Sequence, residues 1–383
     1  MDVADLIRDA DQALADRDFG AAASLLEQAA SLSPGDMDLW MRVAAMRRGS
    51  GQADKALDAV HKALAIAPRD FMALLMRASL LQRLASPEAG EAWGHALAQR
   101  PAGELPPQVQ SVVAEGEARH AEWVEQREAA LAKAMAHAEE RADTEQRKRI
   151  ARFRSNAVRR TRQFHSNPTD YHFPELAERE FHPRALFPWL ERLEAATDAI
   201  TAEFRAVMAA ERAELVPYVQ LDEHAPMDQW RPLNHSLDWT AIHLLQHGRV
   251  VEANARHCPA TMAILKEIPQ PLVPGASPNA MFSLLAPHTA IPPHVGISNT
   301  RLVCHLPLVV PKGCWFRVGA ETRFWKPGEA FVFDDTIEHE AANPSDELRA
   351  VFIFDVWHPD LSLVEREAVA ALIGSQGVGG ESL

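Results

Sequence analysis

Cysteine is scarce in this chain. Cys258, Cys304 and Cys314 are the three among 383 residues, and their spacing suits neither a disulfide framework nor a metal cluster. They are expected to be small buried apolar residues in a reducing compartment. Long apolar runs are also missing, because no stretch approaches the roughly 18 apolar residues that a membrane helix needs. The N-terminal MDVADLIRDADQ carries acids where a secretory leader would carry bases, so no leader is expected. An excess of positive charge is lacking too. A formal net charge of -14 argues against a dedicated nucleic-acid binder, which needs a basic face for phosphate. A soluble, cytoplasmic protein without a membrane span or nucleic-acid partner is expected. With 47% hydrophobic residues the chain can bury a core, and its length predicts more than one domain.

The first hundred residues repeat. Pro34 and Pro68 stand 34 apart, and the same shift carries Ala22 to Ala56, Ala29 to Ala63, Leu32 to Ile66 and Asp36 to Asp70. A looser third copy, shifted by 33, sets Ala89, Trp93, Ala96 and Pro101 beneath Ala56, Val60, Ala63 and Pro68. Small residues at fixed positions let paired helices approach closely, and a proline closes each second helix. The pattern resembles tetratricopeptide repeats, which predicts an all-α domain over residues 1–101 with a surface that could recruit a protein partner. The breaker-rich PAGELPP (101–107) follows, then a polar stretch from Gln108 to about Arg162 that reads as one or two helices. These fill a helical linker over 102–167. The basic run 147–162 within it is read as a solvated helix face.

Beyond Asn167–Pro168 the texture changes. Amphipathic helical segments are expected around 184–212 and 257–267. From about 280 onward, FSLLA, RLVCHLPLVV, CWFRV, TRFW, AFVFD and RAVFIFDVW are separated by Pro- and Gly-containing turns. So many short strands predict a double-sheet barrel.

Histidines concentrate in this region. His294 lies in PPHVG, read as a strand-leading loop, and His339 in FDDTIEHE at the exit of an apolar strand. Arg349 opens the last long strand, where a guanidinium could grip a dicarboxylic acid. Two histidines and an arginine in this order, on consecutive strands, suit a mononuclear iron site with open positions. His288 and His358 are read as ordinary polar residues. Strand alternation places Arg301, Val303 and His305 on one face and Leu302, Cys304 and Leu306 on the other, as expected of a wall lining a pocket.

The string from Pro293 to Leu361, together with LNHSLDW (233–239) and FPELAEREFHPRALFPWLERLE (173–194), resembles the aspartyl/asparaginyl β-hydroxylases. Members of that family can carry tetratricopeptide repeats ahead of the catalytic domain. The resemblance implies a catalytic domain over 168–370 with a double-stranded β-helix (jelly-roll, cupin-like) fold and flanking helices. It implies iron(II), 2-oxoglutarate and O₂, with His294 and His339 as the catalytic metal ligands. Ser283 and Arg349 would bind the distal carboxylate of 2-oxoglutarate, and His305 would lie near its other end.

Most oxygenases of this type carry an acid two positions after the first histidine, where this chain has Gly296; the resembled family shares that gap. Asp334, Asp335 and Glu338 are read as turn acids that cap backbone groups or support His339, with iron ligation by one of them the alternative. Asn234, His235 and Asp238 are placed near the substrate, with Arg301, while Leu237 and Trp239 are expected in the core. Peptide-hydroxylating members have an arginine where this chain has Val303. The expected activity is a dioxygenase that hydroxylates an aspartyl or asparaginyl residue of a peptide or protein. The alternatives are a free or carrier-bound amino acid or a lipid acyl chain as substrate, or a non-catalytic repeat scaffold with a ligand-sensing barrel.

Overall fold

The structure, a computed structural model, describes residues 2–210, 215–222, 224 and 228–375. It divides into two compact units, Met1–Thr161 and Arg162–Leu383.

The first unit is built from helix pairs: α1 (Val3–Ala15), α2 (Phe19–Leu32), α3 (Met37–Gly49), α4 (Ala53–Ile66), α5 (Phe71–Arg83) and α6 (Ala89–Leu97). The repeat positions have clear physical duties. Asp36 and Asp70 are the N-caps of α3 and α5, each accepting a hydrogen bond from the amide three residues on. Ala22, Ala29, Ala56 and Ala63 are buried at helix contacts. Pro34 and Pro68 follow the ends of α2 and α4.

Two further helices complete this unit, α7 (Pro107–Arg141) and α8 (Thr144–Ala157). The beginning of α7 packs directly on the repeats. A side chain at Gly90 would meet the Trp123 ring at 2.0 Å, and one at Gly116 would meet Trp93 at 2.6 Å. Glycines here let α6 and α7 approach closely enough to pack both rings against helix backbone.

The second unit is an antiparallel two-sheet structure. Its strands are β1 (Val216–Pro217), β2 (Trp239–Gln246), β3 (Arg249–Val250), β4 (Ala280–Leu285), β5 (Thr289–His294), β6 (Arg301–Val309), β7 (Trp315–Val318), β8 (Glu321–Phe324), β9 (Phe331–Phe333), β10 (His339–Asn343) and β11 (Arg349–Trp357). Among the described residues, one sheet runs β1-β2-β4-β11-β6-β9 with β3 added on β2, and the other runs β5-β10-β7-β8.

The outer face of the larger sheet is covered by helices α9 (Leu190–Ala195), α10 (Thr197–Met208) and α12 (Pro259–Leu265), the short α11 (Glu252–Ala255) preceding α12. Leu190, Leu193, Ile200 and Phe204 meet Phe282, Leu302, Cys304 and Phe352 in one core. A second core fills the space between the sheets, with Trp239, Leu285, Val303 and Val351 against Ile291, Phe316, Val318 and Ala341. Both faces of the large sheet are therefore apolar, which is why β6 and β11 read as nearly continuous hydrophobic runs. The three cysteines are free and buried, as their scarcity led us to expect. Helix α13 (Leu363–Ser375) follows the last strand.

Three differences from the sequence reading are physical. The segment 184–212 is broken into α9 and α10 at Ala196, and positions 211 and 212 lie outside the described residues. His294 ends strand β5 and does not sit in a loop; its two preceding prolines are compatible with β5 because that strand lies at a sheet edge. Leu237 is 68% exposed, because it lies on the turn before β2 and only Trp239 points inward. No helix among the described residues is long and apolar enough to cross a membrane.

Candidate active site

A cavity of about 480 Å³ opens between the two sheets. Its wall includes Ser283, His294, Gly296, Arg301, Val303, His305, Asp335, His339 and Arg349. The alternation along β6 holds: Arg301, Val303 and His305 line the cavity, while Leu302, Cys304 and Leu306 pack in the outer core.

His294 and His339 are brought together by strand pairing. β5 and β10 are not consecutive in the chain, since β6 to β9 intervene, yet they are hydrogen-bonded neighbours with His294 and His339 directly opposite. The ring centroids lie 4.0 Å apart. His294 Nδ1 hydrogen-bonds the Pro292 carbonyl at 2.8 Å, and His339 Nδ1 the Ile337 carbonyl at 3.1 Å. A carbonyl only accepts, so each Nδ1 carries the proton and each Nε2 keeps its lone pair. Burial, with the neighbouring His339, pushes His294 down to about 3, and burial pushes His339 down to about 4. Both imidazoles are thus neutral at pH 7, in the tautomer that a metal ion requires. Trp230 packs edge-on against His294.

Arg349 holds another part of the wall. Only 2% exposed, it donates from Nη1 to the Ser283 carbonyl (3.2 Å) and Oγ (3.3 Å), and its guanidinium lies over the Trp325 ring. No carboxylate pairs with it among the described residues, and its Nε lacks a partner. Burial lowers it to about 10, so it remains charged at neutral pH. A buried guanidinium without an anion is costly and marks a place where an anion binds. Ser283 Oγ is positioned in turn by Trp239 Nε1, which donates to it at 3.1 Å.

His305 is buried among Phe316, Phe331 and Phe333, and its Nδ1 lacks a partner. Burial first, then Arg349 and His339, holds it well below the usual histidine range.

The acids of FDDTIEHE divide in function. Asp334 Oδ1 accepts from the Thr336 amide and hydroxyl and closes the turn before β10. Glu338 pairs with Arg162 and Arg317. Asp335 lines the cavity and accepts from Arg301 Nη2 at 3.0 Å. A Cβ at position 296 would lie 2.2 Å from Asp335 Oδ2, so the carboxylate fills space that a side chain there would need. Among the described residues, no group of three or more His, Cys, Asp or Glu side chains is placed to hold one metal ion.

Not every residue placed near the substrate comes to the cavity. Asn234 bonds both backbone groups of Leu221 and shapes the loop. His235 and Asp238 are exposed, and Asp238 accepts from Ser236 Oγ. NHSLDW is a turn whose polar residues organise backbone, and only its Trp239 reaches the cavity. His288 is exposed beside Asp346, while His358 is buried against His182 outside the cavity. Tyr218, stacked on Trp239 with centroids 3.8 Å apart, and Asp355 also line the cavity. Neither carried a sequence signal: Tyr218 lies just past the two-residue β1, and Asp355 is a lone acid inside an apolar strand.

A two-sheet antiparallel unit with a paired-histidine cavity and a buried, anion-seeking arginine is the class that fold and site define. Residues 194–359 match the family model of the Aspartyl/Asparaginyl beta-hydroxylases. The aspartyl/asparaginyl beta-hydroxylase of Mus musculus is 38% identical over 137 residues, covering 35% of this chain and 18% of that protein. The aspartate beta-hydroxylase domain-containing protein 2 of Homo sapiens is 36% identical over 135 residues, covering 34% and 37%. Its Rattus norvegicus counterpart is 32% identical over 206 residues, covering 53% and 57%. The match therefore spans from under a fifth to somewhat over half the length of these relatives. Over the helical repeats the chain is similar to the Sgt2 TPR domain from Aspergillus fumigatus at 20% identity, covering 30% of this chain and 78% of that one with a TM-score of 0.27. The segment that carries most of the cavity is thus similar to the aspartyl/asparaginyl β-hydroxylases.

Proposed function

We propose that the second unit is an iron(II)- and 2-oxoglutarate-dependent hydroxylase acting on an aspartyl or asparaginyl residue of a peptide or protein. One observation carries this reading. Two neutral imidazoles with unprotonated Nε2 atoms stand at register-partner positions, and a buried guanidinium without a carboxylate partner lines the same cavity. The strand orders β4-β11-β6-β9 and β5-β10-β7-β8 support reading the two sheets as a double-stranded β-helix.

In this reading His294 and His339 would hold the iron through Nε2. The donor set fits, because both rings are already fixed in the required tautomer. Arg349 and Ser283 would receive the distal carboxylate of 2-oxoglutarate, with Trp239 orienting the serine hydroxyl. When bound, iron with 2-oxoglutarate and O₂ supplies the oxidising power to insert one oxygen atom into a C–H bond. The chain's own part is positional. Phe316, Phe333 and Trp325 exclude water beside His305 and Arg349, which strengthens every charge contact within the cavity. The repeats would offer a surface for a polypeptide substrate or a carrier protein.

The test is turnover by the full chain with iron(II), 2-oxoglutarate and O₂. Succinate release should depend on iron, and a peptide product should gain one oxygen atom. Folded protein that neither binds 2-oxoglutarate with iron nor releases succinate would favour the scaffold reading.

A further inference from the structure

The charge arrangement beside the histidine pair points to a substrate class narrower than the reading above, on which this inference rests. Arg301, 5% exposed, is held between two buried acids. Its Nη2 donates to Asp335 Oδ2 at 3.0 Å, and its Nη1 lies 3.5 Å from Asp355 Oδ1 without forming a hydrogen bond. Asp355 is further occupied on Oδ2 by the amide and side-chain nitrogen of Asn279. The cluster is therefore one guanidinium with two carboxylates, already more than neutralised.

Two of its atoms are left over: Arg301 Nη1 is a buried donor and Asp335 Oδ1 a buried acceptor, both without a hydrogen-bond partner. They belong to one ion pair and to residues that line the cavity. Buried polar atoms are rarely left unpaired, and an unpaired donor and an unpaired acceptor within one ion pair of cavity-lining residues need explaining. A primary carboxamide has the complementary pair, a carbonyl for Nη1 and an N–H for Oδ1. A carboxylate has only acceptors. It could satisfy Nη1, but its second oxygen would face Asp335 Oδ1 with no proton between them. Val303, next inward on the same face of β6, adds no second cation to offset that repulsion.

We propose that the cavity selects a carboxamide, an asparaginyl-type side chain, over a carboxylate, and that Asp335 and Arg301 are its specificity-determining pair. The paired hydrogen bonds recognise the amide, and the unpaired Asp335 oxygen rejects the acid.

The test uses the full chain with iron(II), 2-oxoglutarate and O₂, and two peptide pools with identical randomised flanks, one centred on asparagine and one on aspartate. Mass spectrometry reads oxygen incorporation in each. The asparagine pool should be favoured by at least about 30-fold, within the range that unpaired buried polar groups impose on a mismatched ligand. Asp335→Asn should lower that ratio at least about tenfold, a change that a general loss of structure would not produce. Equal or greater oxidation of the aspartate pool by the unaltered protein overturns the inference. Oxidation of neither pool, with iron-dependent 2-oxoglutarate turnover intact, overturns it while leaving the hydroxylase reading in place. Absence of any such turnover overturns both. Should Asp335→Asn fail to fold, Arg301→Met removes the donor and is read in the same ratio.

Discussion

His294 and His339 stand directly opposite each other on neighbouring antiparallel strands, each ring anchored through Nδ1 to a carbonyl two residues earlier in its own chain segment. Those anchors keep both rings aimed before any metal arrives, so affinity should depend on each ring separately. His294→Ala or His339→Ala should weaken iron(II) binding by more than about 100-fold, since even a partner one bond removed from a metal ligand is worth about 10- to 100-fold. Anaerobic calorimetry with iron(II) reads this directly. Wild-type affinity in either variant would remove that histidine from the metal site.

Gly296 and Asp335 share one space. The 2.2 Å approach between a would-be Cβ and Asp335 Oδ2 involves a carboxylate that is itself held by Arg301 and so cannot swing freely. Gly296→Ala should therefore destabilise the protein by about 1–3 kcal/mol, the usual range for overpacking. Asp335→Ala in that background should recover part of the loss, giving a coupling that a double-mutant cycle in urea would show. Independent, additive effects of the two substitutions would contradict the shared space.

Arg349 offers a second binding test. Its unpaired buried charge should be satisfied by the 2-oxoglutarate carboxylate, and neighbouring Ser283 contributes through the hydroxyl that Trp239 orients. Arg349→Met should cost about 2–5 kcal/mol of 2-oxoglutarate binding, as for truncation of one side of a buried charge pair. Arg349→Lys should recover little, because a lysine ammonium lacks the planar fork and sits poorly over the Trp325 ring. Equilibrium binding of 2-oxoglutarate to the iron-loaded variants, without O₂, decides it.

Much of this site was legible in the sequence because its residues sit at repeating, patterned positions. The 34-residue shift exposed the helix pairs through Asp caps and buried alanines, and the β6 alternation separated Arg301 and His305 from Leu302 and Cys304. The illegible part was what strand order brings together. Nothing local in VGISNT says that Gly296 will abut Asp335, or that Arg301 will be shared between acids on two other segments. NHSLDW misled for the opposite reason. Its polar residues look like site residues in a string, but Asn234 bonds the backbone of Leu221 and Asp238 accepts from its neighbour Ser236.

The buried histidines also set how stability responds to acid. His182, His243, His294 and His339 are pushed, chiefly by burial, to about 3, 4, 3 and 4. Between the ordinary value of 6.5 and those depressed values, the unfolded chain binds protons that the folded one refuses. Stability therefore falls as pH falls through that window, by up to about 1.4 kcal/mol per pH unit for each histidine. Asp334 works in the opposite direction. Burial raises it from 3.8 to about 7, so the folded state holds a proton the unfolded state has lost, and acid favours folding between those values. His305 and His358 are lowered as well, and Asp355 is raised like Asp334, so the histidines outnumber the acids and the urea midpoint of the metal-free protein should drop between about pH 6.5 and pH 5. His182 lies outside the cavity, with neither ring nitrogen hydrogen-bonded. His182→Gln should make that slope shallower by about 1.4 kcal/mol per pH unit while leaving iron(II) affinity unchanged. A midpoint that holds steady or rises on acidification would show that these imidazoles are not kept neutral by the fold.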